Sequence, residues 1–262
     1  MAIQSVQRAA NILRLFSLAK PRLGISEISR LLRLSKGTVQ GLVRTLMAEG
    51  FLQQDPETRK YQLGLQLYEL GSILAGSLEI NQRASSEAHQ LAKRTQLTVY
   101  VAIVDCLSAM VTLTSHPRSV PFHSSQLGPR VPLYCTALGK SLLAFLEQPE
   151  LDAIIEQLEF IPYTPNTITQ KDAFLKELEE IRQRGYSINR EEHFLARSAI
   201  GAPIFGRDGR SLASICLSGN SIRILGKPIE DLVKELKKTA LEISRGMGYF
   251  QEVFITPNKN RS

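Results

Sequence analysis

Residues 24 to 49, GISEISRLLRLSKGTVQGLVRTLMAE, place two apolar stripes at helical spacing on either side of a tight turn. In the second half, Val39, Leu42, Val43, Leu46 and Met47 recur at the i, i+3, i+4, i+7, i+8 spacing of a helix with one buried side. The opposite side carries Lys36, Gly37, Gln40, Gly41, Arg44 and Thr45. Ser35 is expected to cap this helix, with Thr38 in the first turn, where exposed amides and Lys36 suit a phosphate oxygen. Gln40 and Arg44 are long enough to reach base edges, and Gly37 and Gly41 would let the backbone approach a groove closely. An isolated helix of this kind reads as an ordinary solvated face, so its surroundings decide.

In the first half, Ser26 is expected to cap a helix whose Ile28, Leu31 and Leu32 form a matching stripe ending at Arg33-Leu34. Upstream, Ser5 is expected to cap a third helix with Val6, Ala9, Leu13 and Phe16 inward, closed by Lys20-Pro21 and Leu23-Gly24. Downstream, FLQQDPETRKYQL predicts strands over Phe51 to Gln54 and Lys60 to Leu63, joined by the turn-prone Asp55-Pro56-Glu57-Thr58. Three helices followed by a hairpin form a winged helix-turn-helix pattern, with Arg59 and Lys60 at the wing as candidate phosphate or minor-groove contacts. The candidate DNA contacts are therefore Ser26, Ser35, Lys36, Thr38, Gln40, Gly41, Arg44, Arg59 and Lys60.

Charge agrees with this reading. Residues 1 to 64 hold 10 Lys and Arg against 4 Asp and Glu, while the remaining 198 residues hold 22 against 21. Nearly all of the net +7 is N-terminal, as expected of one nucleic-acid-binding head on an electrically balanced body. The 262 residues leave room for a second core. No apolar run reaches membrane-spanning length and MAIQSVQRAA lacks a signal-peptide core, so a cytoplasmic protein without membrane contact is expected. Cys106, Cys135 and Cys216 are odd in number, widely spaced and flanked by apolar residues. They read as reduced, partly buried thiols.

Between the two parts, Leu67, Leu70, Leu74 and Leu78 alternate by three and four, which predicts a linker helix with a narrow seam suited to pairing in a dimer. Gly71, Ala75 and Gly76 leave packing on its own chain as the alternative.

The body alternates elements: a helix around Arg83 to Thr95, strands Thr98 to Val104 and Ala109 to Ser115, then helices Thr136 to Leu146, Pro149 to Leu158 and Lys171 to Arg184. Strands return at Tyr186 to Arg190, Ala199 to Phe205 and Ser211 to Ser218, the last two flanking the Asp208-Gly209 turn, and a helix from Pro228 to Phe250 closes the pattern. Hairpin strands separated by helices predict an α+β domain around an antiparallel sheet.

Several ordered segments carry a resemblance: SVQRAANILRLFS, ISEISRLLRLSKGTVQGLVRTL, the wing ending YQLG, GPRVPLYCTALGKSLLAFL, RGYSINREEH and GAPIFGRDGRSLASICLSG. Together they make the chain similar to the IclR family of bacterial transcriptional regulators over almost its full length. The resemblance implies a winged helix-turn-helix domain at residues 1–64, a linker helix at 65–79, a GAF-like effector-binding domain at 80–251 and a tail at 252–262. It also implies homodimers often paired into tetramers, double-stranded operator DNA as partner, and a small-molecule effector. The implied effector pocket maps onto Ala137 and Leu138 in the loop before the central helix, onto Asn189, Arg197 and Ala199, and onto Cys216 and Ser218 in the last hairpin strand, with Val131 and Tyr134 nearby. The chain departs from members with small loop residues and an acidic residue at the Asn189 position, and its Leu138 and Cys216 imply a bulkier, less polar pocket. Arg197 could grip a carboxylate through two parallel hydrogen bonds, so an organic acid effector is expected.

Catalytic readings do not hold. Gly139-Lys140-Ser141 resembles the end of a phosphate-binding loop, but Tyr134 stands where its first glycine is required. Glu191-Glu192-His193 cannot converge on one substrate atom, because adjacent strand residues face opposite ways, and reads as a solvated strand end. His116, His123 and His193 could meet as metal ligands only through the fold, and no C-x-x-C pair exists. No catalytic residue, metal or cofactor is expected. The competing function, an architectural DNA-binding protein without a ligand, leaves the large charge-balanced body unused.

Overall fold

Each helix of the first unit has only one apolar face, so the three must close on one another. The computed structural model describes residues 2–117, 128–226 and 229–250, in two units, Met1–Ser77 and Leu78–Ser262. In the first, α1 (Gln4–Arg14), α2 (Ile25–Leu32) and α3 (Lys36–Ala48) surround a core of Ile12, Leu23, Ile28, Val39, Val43, Leu46 and Leu52. β1 (Leu52–Gln54) and β2 (Tyr61–Leu63) pair antiparallel as the wing. Leu23 adds a bridge to Tyr61 through N–H to O contacts of 2.9 and 2.8 Å in the two directions, tying the chain before α2 to the wing.

Several local expectations for this unit are corrected. α2 begins one residue before Ser26, with Gly24 as its N-cap, because the Glu27 carboxylate reaches back to accept from the Gly24 N–H at 3.0 Å. Ser26 lies exposed in the first turn. Ile3, not Ser5, precedes α1, and Ile12 takes the buried position while Val6 is exposed. Leu31 and Met47 are likewise exposed. α4 (Leu65–Ser77) follows the wing and buries no residue. The helix ends before Leu78, which packs instead against the core of the second unit, so the four-leucine seam is cut short.

The second unit opens with α5 (Glu79–Thr95), which starts four residues ahead of the expected Arg83. β3 (Thr98–Asp105), β4 (Ser108–Ser115), the unforeseen short β5 (Arg130–Pro132), α6 (Ala137–Ala144), α7 (Gln148–Ile155) and α8 (Lys171–Arg184) follow. β6 (Ser187–Arg190), β7 (Arg197–Phe205), β8 (Ser211–Asn220), a short α9 (Ser221–Leu225) and α10 (Ile229–Gly246) complete it. The strands form one antiparallel sheet in the order β5-β4-β3-β8-β7-β6.

Strand alternation gives this sheet two cores. Val99, Val101, Ile215 and Leu217 face one way, with Leu91 of α5 and Leu236 of α10, while Tyr100, Ala102 and Cys216 face the other, with Leu142 of α6 and Phe174 of α8. α6 lies so close to the loop that precedes it and to the sheet that two glycines are required. A Cβ on Gly139 would fall 2.2 Å from the Leu133 carbonyl oxygen, and one on Gly201 would fall 2.6 Å from that of Ala137. Gly185 stops α8 with φ 77° as expected.

Two readings in this unit are overturned. Cys106 is exposed at the β3–β4 turn with φ 54°, whereas Cys135 and Cys216 are buried free thiols. Glu192 is not at a solvated strand end: β6 stops at Arg190, and the chain turns Glu192 into the protein. His123, the expected helix start at Pro228 and the tail at 252–262 lie outside the described residues.

Candidate nucleic-acid interface and effector cluster

α3 is positioned by its apolar side. With Val39, Val43 and Leu46 in the core, Lys36, Gln40, Arg44 and Thr45 on the other side are all exposed. Ser35 caps the helix as expected: its Oγ accepts from the Thr38 N–H at 3.1 Å and lies 2.9 Å from Thr38 Oγ1. Those two hydroxyls are thereby engaged with each other, which leaves Lys36, Gln40 and Arg44 as the reaching side chains. Beyond the chain neighbours and the helix's own backbone, no heavy atom lies within 4 Å of where a Cβ would sit on Gly37 or Gly41, so the backbone of this face is open to a neighbouring surface.

The wing is held by its own polar contacts. Asp55 Oδ1 accepts from the Glu57 and Thr58 N–H groups at 3.1 and 2.8 Å and from the Thr58 hydroxyl at 3.0 Å, while Arg22 pairs with Oδ2 at 3.0 Å. These donors, Thr58 foremost, hold the Asp55 carboxyl below its ordinary value despite burial. Arg59 sits at the tip with φ 58° and is exposed. Lys60 lies 3.5 Å from Glu27 Oε2, so its charge is shared with the start of α2. The Gly24 N–H and Lys60 together keep the Glu27 carboxyl low.

In the second unit, ladder register brings the residues implied for the effector pocket together. Cys216 lies between Tyr100 and Gly201, Ser218 between Thr98 and Ala199, and Asn189 beside Ala199. Val131, Tyr134, Ala137, Leu138, Ala199 and Cys216 share one buried cluster. Asn189 joins it through its side-chain amide, which donates to the Cys135 carbonyl at 2.9 Å. Arg197 stands half-buried at the start of β7, two residues before Ala199 and so on the same strand face. The cluster is apolar: burial pushes the Cys216 and Cys135 thiols up to about 12. The Tyr134 hydroxyl, which donates to the Ile161 carbonyl at 2.7 Å, is also pushed up to about 12, mainly by burial.

Residue-by-residue reading missed Tyr100, opposite Cys216, and the Lys140–Glu192 pair. A tyrosine inside an apolar strand and a lysine inside the apolar run ALGKSLLA were the available signals. Lys140 Nζ lies 2.7 Å from Glu192 Oε1 and 3.3 Å from Glu177 Oε1. The Glu192 N–H in turn donates to Asn189 Oδ1 at 3.0 Å. Thr164 and Thr167 hydroxyls donate to the Glu191 and Glu192 carbonyls at 2.7 and 2.6 Å, fixing this bend. Burial lowers the His193 pKa, and its ring packs edge-on to Tyr163 at 4.9 Å. Among the described residues no group of three or more His, Cys, Asp or Glu is placed to hold a metal ion. Nor is any helix among them long and apolar enough to cross a membrane.

The same division appears in comparisons with known proteins. Residues 5–56 match the IclR helix-turn-helix domain, and residues 73–245 match the C-terminal domain of bacterial IclR transcriptional regulators. The chain is 33% identical to the HTH-type transcriptional regulator XynR of Escherichia coli, over 94% of this chain and 98% of that one. It is 31% identical to the regulator KdgR of the same species, over 97% and 96%. The crystal structure of the Thermotoga maritima IclR superimposes with a TM-score of 0.76 at 31% identity, covering 95% of this chain and 100% of that one. A recognition helix with its polar side bare, a wing behind it and an antiparallel effector-type sheet thus coincide with full-length similarity, and the chain belongs to the IclR family of helix-turn-helix transcriptional regulators.

Proposed function

We propose that this regulator reads an operator through Lys36, Gln40 and Arg44 of α3, with Arg59 on the wing. A small organic acid bound at the buried cluster of the second unit would control that reading. In this account residues 1–64 are the DNA-binding part, 65–79 the linker, and 80–251 the effector part of a cytoplasmic homodimer or homotetramer that works by binding rather than catalysis. The observation that carries the proposal is the exposure of Lys36, Gln40 and Arg44 opposite a core of Val39, Val43 and Leu46.

An arginine bidentate to guanine contributes about 1–3 kcal/mol of discrimination, whereas a phosphate contact weakens all sequences alike. Fluorescence anisotropy on a duplex from upstream of the regulator's own gene, beside a scrambled duplex, measures both. Arg44→Ala is expected to lower operator affinity about tenfold or more and to narrow the gap to the scrambled duplex. Unchanged affinity and gap would remove α3 from base readout. For the effector, organic acids that shift the melting temperature are to be titrated calorimetrically, and Arg197→Ala is expected to weaken them. Equal affinity in that variant would remove Arg197 from the site.

A further inference from the structure

A cleft of about 390 Å3 opens along β6, the last strand of the sheet, between that strand, α6 and α8, within the roughly 300–1,000 Å3 of small-molecule sites. Its charged lining is Lys140, Glu177, Arg184, Arg190 and Glu192, with the polar Asn166 also lining it. Most of these groups are spoken for. Glu177 Oε1 takes Lys140 at 3.3 Å and Arg184 at 2.8 Å, and Glu192 Oε1 takes Lys140 at 2.7 Å and the Arg190 backbone N–H at 3.2 Å.

Two groups are left over. Glu192 Oε2 is buried and has no hydrogen-bond partner, an acceptor whose desolvation nothing offsets. The Arg190 side chain is exposed and enters no ion pair among the described residues. The three cations outnumber the two carboxylates by one, so the cleft favours an anion. Its unmet needs are specific: acceptors for the Arg190 guanidinium and a donor for the Glu192 carboxylate oxygen.

We propose that this cleft is a second ligand site, which binds a small oxyanion carrying its own hydroxyl proton, either hydrogen phosphate or a hydroxycarboxylate. The acceptor oxygens lie on Arg190 and Asn166, and the hydroxyl donates to Glu192 Oε2. An oxyanion without that proton meets the carboxylate as bare negative charge and is rejected. The site is distinct from the cluster around Cys216, yet Glu192 links the two, because its N–H holds Asn189 Oδ1. Any effect on the organic acid rests on the effector reading above; the binding itself does not.

Two matched pairs test it on the full-length protein by calorimetry: hydrogen phosphate against sulfate, and glycolate against acetate. The hydroxyl-bearing member of one pair is expected to bind about tenfold or more tightly than its partner, and the pair that separates identifies the source of the ligand. Arg190→Gln, at an exposed position, is expected to weaken that anion by about tenfold or more. The proposal is overturned by lack of separation in both pairs, or by affinity that survives Arg190→Gln, which would put the anion in the other cluster. Operator binding by anisotropy is a separate readout, so failure of either reading leaves the other standing.

Discussion

Lys140 has 1% of its surface exposed, in a helix with no exposed residue. An ammonium out of water persists only beside opposite charge, and here Glu192, itself buried, supplies it at 2.7 Å. Such a pair adds little net stability compared with an apolar replacement, but breaking one side strands the other. Lys140→Met is therefore expected to destabilise the second unit by about 3–5 kcal/mol, and Lys140→Met with Glu192→Gln to recover much of that loss. Urea unfolding of the two variants and the parent measures both; a single variant as stable as the parent would contradict the pairing. This pair was hidden in the sequence for a physical reason. Fifty-two positions separate the partners, so local spacing showed Lys140 only as part of a failed phosphate loop and Glu192 only as one carboxylate in a charged run. Asn189 and Cys216, by contrast, lay on strands whose alternation and turn residues were explicit, and the ladder brought them to one face.

Elements were legible where a side chain fixed their ends and illegible where another residue did that work. Ser35 was read as the cap of α3 and is one. Ser26 looked equally suitable for α2, but the back-bond from Glu27 to the Gly24 N–H sets that helix two residues earlier than a Ser26 cap would. The wing strands were marked by the Asp55-Pro56-Glu57-Thr58 turn between them and α8 by its charged amphipathic pattern, whereas β5 and α9, with three and five residues, offered no such signal. The caps give a paired expectation. Ser35→Ala removes an acceptor from the first turn of α3 and should cost about 1 kcal/mol. Ser26→Ala, at an exposed position inside α2, should stay within about 0.5 kcal/mol of the parent. Chemical denaturation followed by circular dichroism distinguishes them, and equal costs would mean that the Ser35 Oγ to Thr38 N–H bond contributes nothing.

At the scale of the molecule, charge and apolar surface are sorted along the chain. The first 64 residues hold 10 basic against 4 acidic side chains, so their contact with DNA releases counterions condensed on its phosphates and the affinity must fall steeply with salt. Immediately after it comes α4, which buries nothing yet exposes Leu65, Tyr68, Leu70, Ile73 and Leu74, with Leu65 at 77% and Tyr68 at 76%. That much apolar surface on one thirteen-residue helix is costly unless covered, and operators are commonly read as two half-sites by paired modules. A second copy of α4 would satisfy both demands. Leu70→Glu with Leu74→Glu, which disturbs no buried residue, is therefore expected to shift the protein toward monomer in analytical ultracentrifugation. The full operator should then bind with the weaker affinity of a half-site, and the slope of log affinity against log salt should drop toward half, because one module neutralises about half the phosphates. A variant that stays dimeric and keeps its salt slope would assign the exposed face of α4 to another role.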